Sequence, residues 1–227
     1  TIADIHGDAD LLHKILKRIL PLRKSDGIQD RIVFLGDYID RYKDGHKVLD
    51  ALIELKALYK DNVICLIGNH ELLMLQALKL IPGSAVAYDL WMQNGGYYTL
   101  TGYIERAGLT ADPLSLNIGR VLDIIPSEHI QFLCNNLNTY YEIDNFLFVH
   151  AGCDPLKSVD TCDLDTLVWD RTLYELVLKS VQEGTALTWD KTIVAGHNSG
   201  RGRGIPVITD KYLMLDCGAP KRLLVTE

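Results

Sequence analysis

No apolar run in this chain approaches the roughly 18–20 consecutive residues that span a bilayer, so a transmembrane helix is not expected. No cluster of lysine and arginine is long enough to track a nucleic-acid backbone, and the formal net charge is −7. A general nucleic-acid binder is excluded on that ground. Cysteine is sparse: Cys65, Cys134, Cys153, Cys162 and Cys217 are scattered, odd in number and form no C-x-x-C pair. That pattern argues against a disulfide framework or a zinc ribbon and for a reducing, cytoplasmic setting. There is no internal repeat, no low-complexity linker and no recognisable signal peptide. Because Thr1 runs almost at once into a strand, the natural start is expected to lie upstream.

What is present is an ordinary globular composition, 48% hydrophobic and 23% charged over 227 residues. The apolar pattern alternates short buried-strand runs with helical spacing. After a strand end at residues 1–4, Asp8 is placed to cap a helix reaching about Leu20, with Pro21 closing it. Residues 25–27 read as loop. The stretch 31–41, RIVFLGDYIDR, supplies a second strand, 48–59 a helix, 62–67 a third strand and 70–80 a leucine-rich helix. Residues 84–125 carry a helical segment interrupted at Asn94-Gly95-Gly96 and are expected to cover one side of a site. A helix at 127–137, a strand at 145–149, a helix at 171–182 and a strand at 191–195 follow. Residues 207–208 and 212–215 read as a hairpin or sheet edge. The repeated strand-loop-helix order predicts an α/β layered fold in one domain over 1–227.

Five strands end alike. Asp4-Ile5-His6-Gly7, Gly36-Asp37, Gly68-Asn69-His70-Glu71, His150-Ala151-Gly152 and Gly196-His197 each set ligand-type side chains beside a glycine after an apolar run. A single histidine at a strand end is more often a capped or core histidine, but five such ends in one chain are different. Open α/β sheets gather their sites outside the carboxyl ends of strands. Aspartate, histidine and amide oxygen suit borderline to hard divalent cations such as manganese, iron or zinc. The groups are too many for one catalytic ion with open positions. They suit two, about 3.5–4 Å apart, able to clamp a phosphoryl group and activate water. His13, His46 and His129 lack this context and read as surface or helix residues.

In this order the motifs, together with Asp40-Arg41 after Gly36-Asp37, resemble the phosphoprotein phosphatase family of metallophosphoesterases. The His150-Ala151-Gly152 form and the segment Trp91-Met92-Gln93-Asn94-Gly95-Gly96 look most like its bacterial and phage-lambda-type branch. The resemblance implies a calcineurin-like metallophosphoesterase fold, two mixed β-sheets sandwiched between helices in four αββα layers. It also implies two divalent metal ions, manganese foremost, with iron or zinc as alternatives. Asp4 and His6 would hold the first ion, Asn69, His150 and His197 the second, and Asp37 would bridge them. His70 matches the general acid that protonates the leaving alkoxide, and Asp40 the carboxylate orienting it. Arg41 and, after Trp169-Asp170, Arg171 match the phosphate-binding arginines.

Two divalent cations, two ligating aspartates and two arginines leave a cationic basin in an acidic protein, attractive to a phosphate dianion. Ala3 and Tyr42 stand where the family has glycine, and Tyr42 bears on the path of the loop 42–46. The expected activity is phosphomonoester hydrolysis, as by a serine/threonine protein phosphatase, with in-line attack of water on phosphorus. The substrate partner is then a phosphorylated protein or a small phosphoester, with neither nucleic acid nor membrane as partner. Oligomeric state stays open. The alternative is a dinucleoside polyphosphate hydrolase. Relatives of that kind lack the Asp40 equivalent and carry Asp where this chain has Glu71. A third reading is a non-catalytic phosphate-binding scaffold, which the intact His70 and Asp40 disfavour.

Overall fold

Short, fully buried strands followed by capped helices build this molecule from its first residues. The computed structural model describes residues 1–25, 28–199 and 204–218. Helix α1 (Ala9–Ile19) starts where expected, because the Asp8 carboxylate accepts the Leu11 N–H at 3.0 Å. Ser25, expected in a loop, instead closes the short strand β1 (Lys24–Ser25), which pairs with β2 (Ile28–Gln29). Asp26 and Gly27 themselves lie outside the described residues.

The smaller core sheet pairs β3 (Ile32–Phe34) with β4 (Val63–Cys65) in parallel. The strand expected at residues 1–4 is reduced to one parallel bridge between Ile2 and Phe34. The crossover is α2 (Gly45–Tyr59), and α3 (Asn69–Ala77) follows β4.

The interrupted helical segment is α4 (Ala87–Trp91) and α5 (Tyr97–Arg106), separated by a widened turn in which Gly95 takes φ 112°. Helices α6 (Ile118–Ile124) and α7 (Ser127–Asn135) come next.

The larger sheet is mixed, with strand order β5 (Tyr140–Ile143), β6 (Phe146–Val149), β7 (Thr192–Ala195), β9 (Tyr212–Met214) and β8 (Val207–Ile208). The hairpin-or-edge expectation is met both ways: β8 and β9 are antiparallel, and β9 also pairs with β7 in parallel. Helices α8 (Leu164–Trp169) and α9 (Thr172–Glu183) connect β6 to β7.

Alternation along the strands divides the core into layers. Val33, Leu35, Ile64 and Leu66 from one sheet pack with Phe148, Val194 and Leu215 from the other, forming the interior between the sheets. Ile32, Phe34, Val63 and Cys65, and likewise Leu147, Val149, Ile193 and Ala195, face the helices instead. The fold is thus the calcineurin-like αββα arrangement. Among the described residues, no helix is long and apolar enough to cross a membrane.

Candidate metal centre and active site

The carboxyl ends of the strands converge, and their polar side chains are buried together. Asp4, His6, Asp37, Asp40, Asn69, His70, His150 and His197 are all buried. Two groups among them have donor atoms lying within 4.8 Å of one another, His6–Asp37–His70 and Asp37–His150–His197. Asp37 belongs to both. Its Oδ2 faces His6 Nε2 at 3.5 Å and His70 Nε2 at 3.8 Å, while its Oδ1 faces His150 Nε2 at 3.4 Å.

The backbone bends unusually to deliver these groups. Among the described non-glycine residues at positive φ are His6 (48°), Asp37 (53°), Asp40 (69°), Arg41 (64°) and His197 (62°). Left-handed backbone costs such residues on the order of 1–3 kcal/mol each and persists where surrounding structure enforces it. Glu71 does much of the enforcing. Its carboxylate accepts the N–H groups of Asp37 (2.8 Å), Tyr38 (2.8 Å), Ile39 (3.3 Å) and Gly68 (3.0 Å). It thereby clamps the 37–39 turn to the start of α3. Burial, with the Asp37 charge adding to it, pushes Glu71 up to about 8, opposed by the Tyr38 and Asp37 N–H bonds and by His70. Gly68 must lack a side chain, since a Cβ there would collide with the Asp37 carboxylate and backbone.

The donor set fits divalent cations. His6 gives its Nδ1–H to the Ile39 carbonyl at 3.1 Å, and His150 gives its Nδ1–H to the Leu35 carbonyl at 2.7 Å. Those bonds leave both Nε2 lone pairs aimed inward, the orientation metal-ligating histidines take. His150 Nε2 then lies 3.0 Å from Asn69 Oδ1, and His197 Nδ1 lies 2.9 Å from the same oxygen. Among the described residues, the buried Nε2 atoms of His6 and His197 have no hydrogen-bond partner. Buried acceptors gathered without donors are costly until a cation joins them.

Burial lowers His6 and moves His197 down to about 3, with His150 adding to the latter. Both rings are held neutral, as ligation requires. Burial opposes ionisation of Asp37; a proton on a neighbouring imidazole, His150 and then His70 foremost, counters it and draws the Asp37 pKa down.

Two expected residues take different surroundings. Asp4 is outside both groups. Instead, each of its carboxylate oxygens lies 3.1 Å from the His197 N–H, which fixes its orientation. Burial, then Asp216 and Asp37, raise its pKa well above the ordinary value. Arg171 lies at the start of α9, where its Nη1 donates to Asn198 Oδ1 at 2.9 Å, next in sequence to His197, and its charge helps lower the His197 pKa. Arg41 is nearer the cluster: its Nη2 is 3.4 Å from His70 Nε2. Tyr42 is exposed, and its N–H donates to the Asp40 carbonyl at 2.7 Å in a tight turn.

His70 and Asp40 form the expected pair, Nδ1 to Oδ2 at 2.7 Å. Burial alone would lower His70, yet Asp37 and the bond to Asp40 outweigh it and raise its pKa. Burial raises Asp40 as well, against the donors around it.

Sequence reasoning did not single out Asp216, which is buried just beyond β9. Burial raises its pKa, with Asp37 adding to the rise. Leu215-Asp216-Cys217-Gly218 repeats the pattern of an apolar run, a carboxylate and a nearby glycine, so its signal was there to read. Trp91 and Thr99, both bonded to Asp40, and Asn198 carried no such signal.

Strand-end carboxylates and imidazoles around a shared aspartate, on two facing sheets, form one buried donor cluster suited to divalent cations. The calcineurin-like phosphoesterase family matches residues 1–219, and the chain belongs to that family. Over 197 residues it is 24% identical to the symmetrical bis(5'-nucleosyl)-tetraphosphatase of Pseudomonas fluorescens, covering 85% of this chain and 58% of that one. Over 73 residues it is 37% identical to a Caenorhabditis elegans chain provisionally named a serine/threonine-protein phosphatase, covering 31% and 18%. A solved protein serine/threonine phosphatase from Saccharomyces cerevisiae superposes with a TM-score of 0.54 at 14% identity, over 95% of this chain and 65% of that one. The chain therefore spans less than two thirds of each of these relatives, and the yeast structure speaks to the fold alone.

Proposed function

We propose that this chain is a phosphomonoester hydrolase with a dinuclear centre, acting on phosphoserine or phosphothreonine in a protein. The observation that carries the proposal is the position of Asp37, whose two oxygens face different histidine groups. Asp4 and His6 would complete one ion's ligands, and Asn69, His150 and His197 the other's, with Asp37 between. Bound divalent cations, manganese foremost, supply Lewis acidity and an activated water.

The chain's own residues do the rest. Arg41, beside His70, is placed to grip phosphate oxygens with a planar fork of donors. Arg171, held by Asn198 beside His197, is the second candidate to grip the phosphate. His70, oriented by Asp40, delivers a proton from Nε2 to the departing alkoxide oxygen as the ester bond breaks. The whole chain is taken as one catalytic unit, with residues 84–125 flanking the site.

A second reading, hydrolysis of dinucleoside tetraphosphates, is favoured by the relative that covers most of this chain. Asp40 and Glu71 favour the first, because one supports a general acid and the other clamps the Asp37 turn. A side-by-side assay of manganese-loaded protein on phosphoserine, phosphothreonine and phosphotyrosine peptides and a dinucleoside tetraphosphate separates them. Turnover of the serine and threonine peptides, with the tetraphosphate left intact, is expected. The opposite preference overturns the proposal in favour of the second reading.

A further inference from the structure

The Asp40 carboxylate meets three side chains, His70, Trp91 and Thr99, and two of the three come from the segment following α3. It is fully buried. The Trp91 Nε1–H lies 3.1 Å from Oδ1 and 3.2 Å from Oδ2, shared between them. The Thr99 hydroxyl donates to Oδ1 at 2.6 Å and accepts the Asp40 backbone N–H at 2.9 Å. Only the remaining direction, through Oδ2, is left for His70.

Trp91 ends α4 and Thr99 lies in α5, and the two reach one carboxylate because the chain turns at Gly95 between them. A side chain on Gly95 would press on the Arg41 backbone N at 2.6 Å, so the same turn also packs against the phosphate-side loop. Burying an indole N–H and a hydroxyl on one carboxylate is favourable only while all three stay matched. Such a network fixes direction: with Oδ1 held by Thr99 and the plane held by Trp91, Oδ2 points at His70 Nδ1. The imidazole Nε2 then faces Asp37 and Arg41.

We propose that Trp91 and Thr99 are positioning residues for proton delivery, aiming the Asp40–His70 pair at the leaving group. The inference rests on His70 acting as general acid. The helical segment would then set the efficiency of the acid as well as flank the site.

The test exploits leaving groups. A poor leaving group such as an alkoxide needs the proton, whereas p-nitrophenolate does not. Thr99→Val and Trp91→Phe are expected to slow an alkyl phosphate by about 10- to 100-fold, inside the roughly 100- to 10,000-fold a general acid supplies, and p-nitrophenyl phosphate by less than about threefold. Thr99→Ser, which keeps the hydroxyl, should restore the alkyl rate. Equal slowing of both substrates, or none, overturns the inference while Asp40→Asn still slows the alkyl ester selectively. If Asp40→Asn itself affects both substrates equally, the general-acid reading falls and takes the inference with it. Activity is not the only readout. In the metal-free chain, Asp40→Asn should shift the nitrogen-labelled indole signal of Trp91, and an unmoved signal also overturns the proposal.

Discussion

Among the described residues two buried histidine rings hydrogen-bond a carboxylate side chain, and only one of them belongs to the candidate active site. His70 meets Asp40 at 2.7 Å at the strand ends, and His129 on α7 meets Asp50 on α2 at 3.0 Å between helices. Both rings are buried. They differ in the second ring nitrogen. That of His129 is taken by the Tyr103 hydroxyl at 2.8 Å, and Arg106 closes the other side of Asp50. That of His70 faces Asp37 and Arg41, where substrate and ions are proposed to sit. A histidine held at both nitrogens by groups of the neighbouring helices locks those helices together; one whose second nitrogen meets only Arg41, at a long 3.4 Å, and the shared Asp37 is available for chemistry. Pair geometry alone does not separate the two.

The largest effect should come from the residue both site groups share. Asp37→Asn is expected to cut metal content at both positions by more than the roughly 10- to 100-fold that changes in outer hydrogen-bond partners cost. Elemental analysis after gel filtration reads this directly, and retention of two ions per chain would refute the bridging role. Next, His70→Asn should lower alkyl phosphate turnover by about 100- to 10,000-fold with the metal retained and the melting temperature little changed.

The other pair should behave oppositely. His129→Ala leaves the buried Tyr103 hydroxyl without its partner and removes one of the two partners of part-exposed Asp50. It should cost about 2–3 kcal/mol of stability in denaturant titrations. Activity per folded molecule should stay unchanged; a selective loss of turnover would erase the distinction drawn above.

Acid should expose the same difference. Burial lowers His129 from its ordinary 6.5, with Arg106 adding to that, while Asp50 and Glu128 oppose it. The unfolded chain therefore binds a proton at His129 before the folded chain does. Stability contributed there is present above 6.5 and is lost as pH falls below it. Asp50 is also lowered, because its bonds to Arg106 and His129 outweigh burial, so its contribution is lost at still lower pH. His129→Gln should flatten the decline just below 6.5, and an unchanged profile would show that His129 does not titrate in that range. Tyr103→Phe should have the smallest effect, about 1 kcal/mol, as expected for one neutral hydrogen bond.

The difference between the pairs also explains what the sequence could reveal. Asp37, Asn69, His150 and His197 were legible because each closes a buried apolar run beside a glycine, a local signal that needs no partner. His129 was legible as a helix residue only. Its burial depends on Asp50 and Tyr103, 79 and 26 residues away. Trp91 stood in a segment the sequence did mark, yet its bond to Asp40, like that of Thr99, was hidden for the same reason, since the partners lie 51 and 59 residues apart. Asp216 was overlooked because its run looked like a sheet edge rather than a site strand. Strand β5 escaped notice because its side chains are only partly buried, so no continuous apolar run marks it. Helix α8 was missed because six residues are too few to show a period.

The left-handed backbone at His6, Asp37, Asp40, Arg41 and His197 has a consequence for how this site can be probed. Asparagine and aspartate tolerate that conformation several-fold better than most residues, and β-branched residues hardly at all. An alanine or valine scan across these positions would report relaxation of the loop along with loss of the ligand, and would overstate every role. Exchanges of Asp or His for Asn keep the chain's path and remove only the chemistry. Neutral drift at these positions should follow the same narrow channel, so the variants that survive in the site will be those whose main chain can still bend the unusual way.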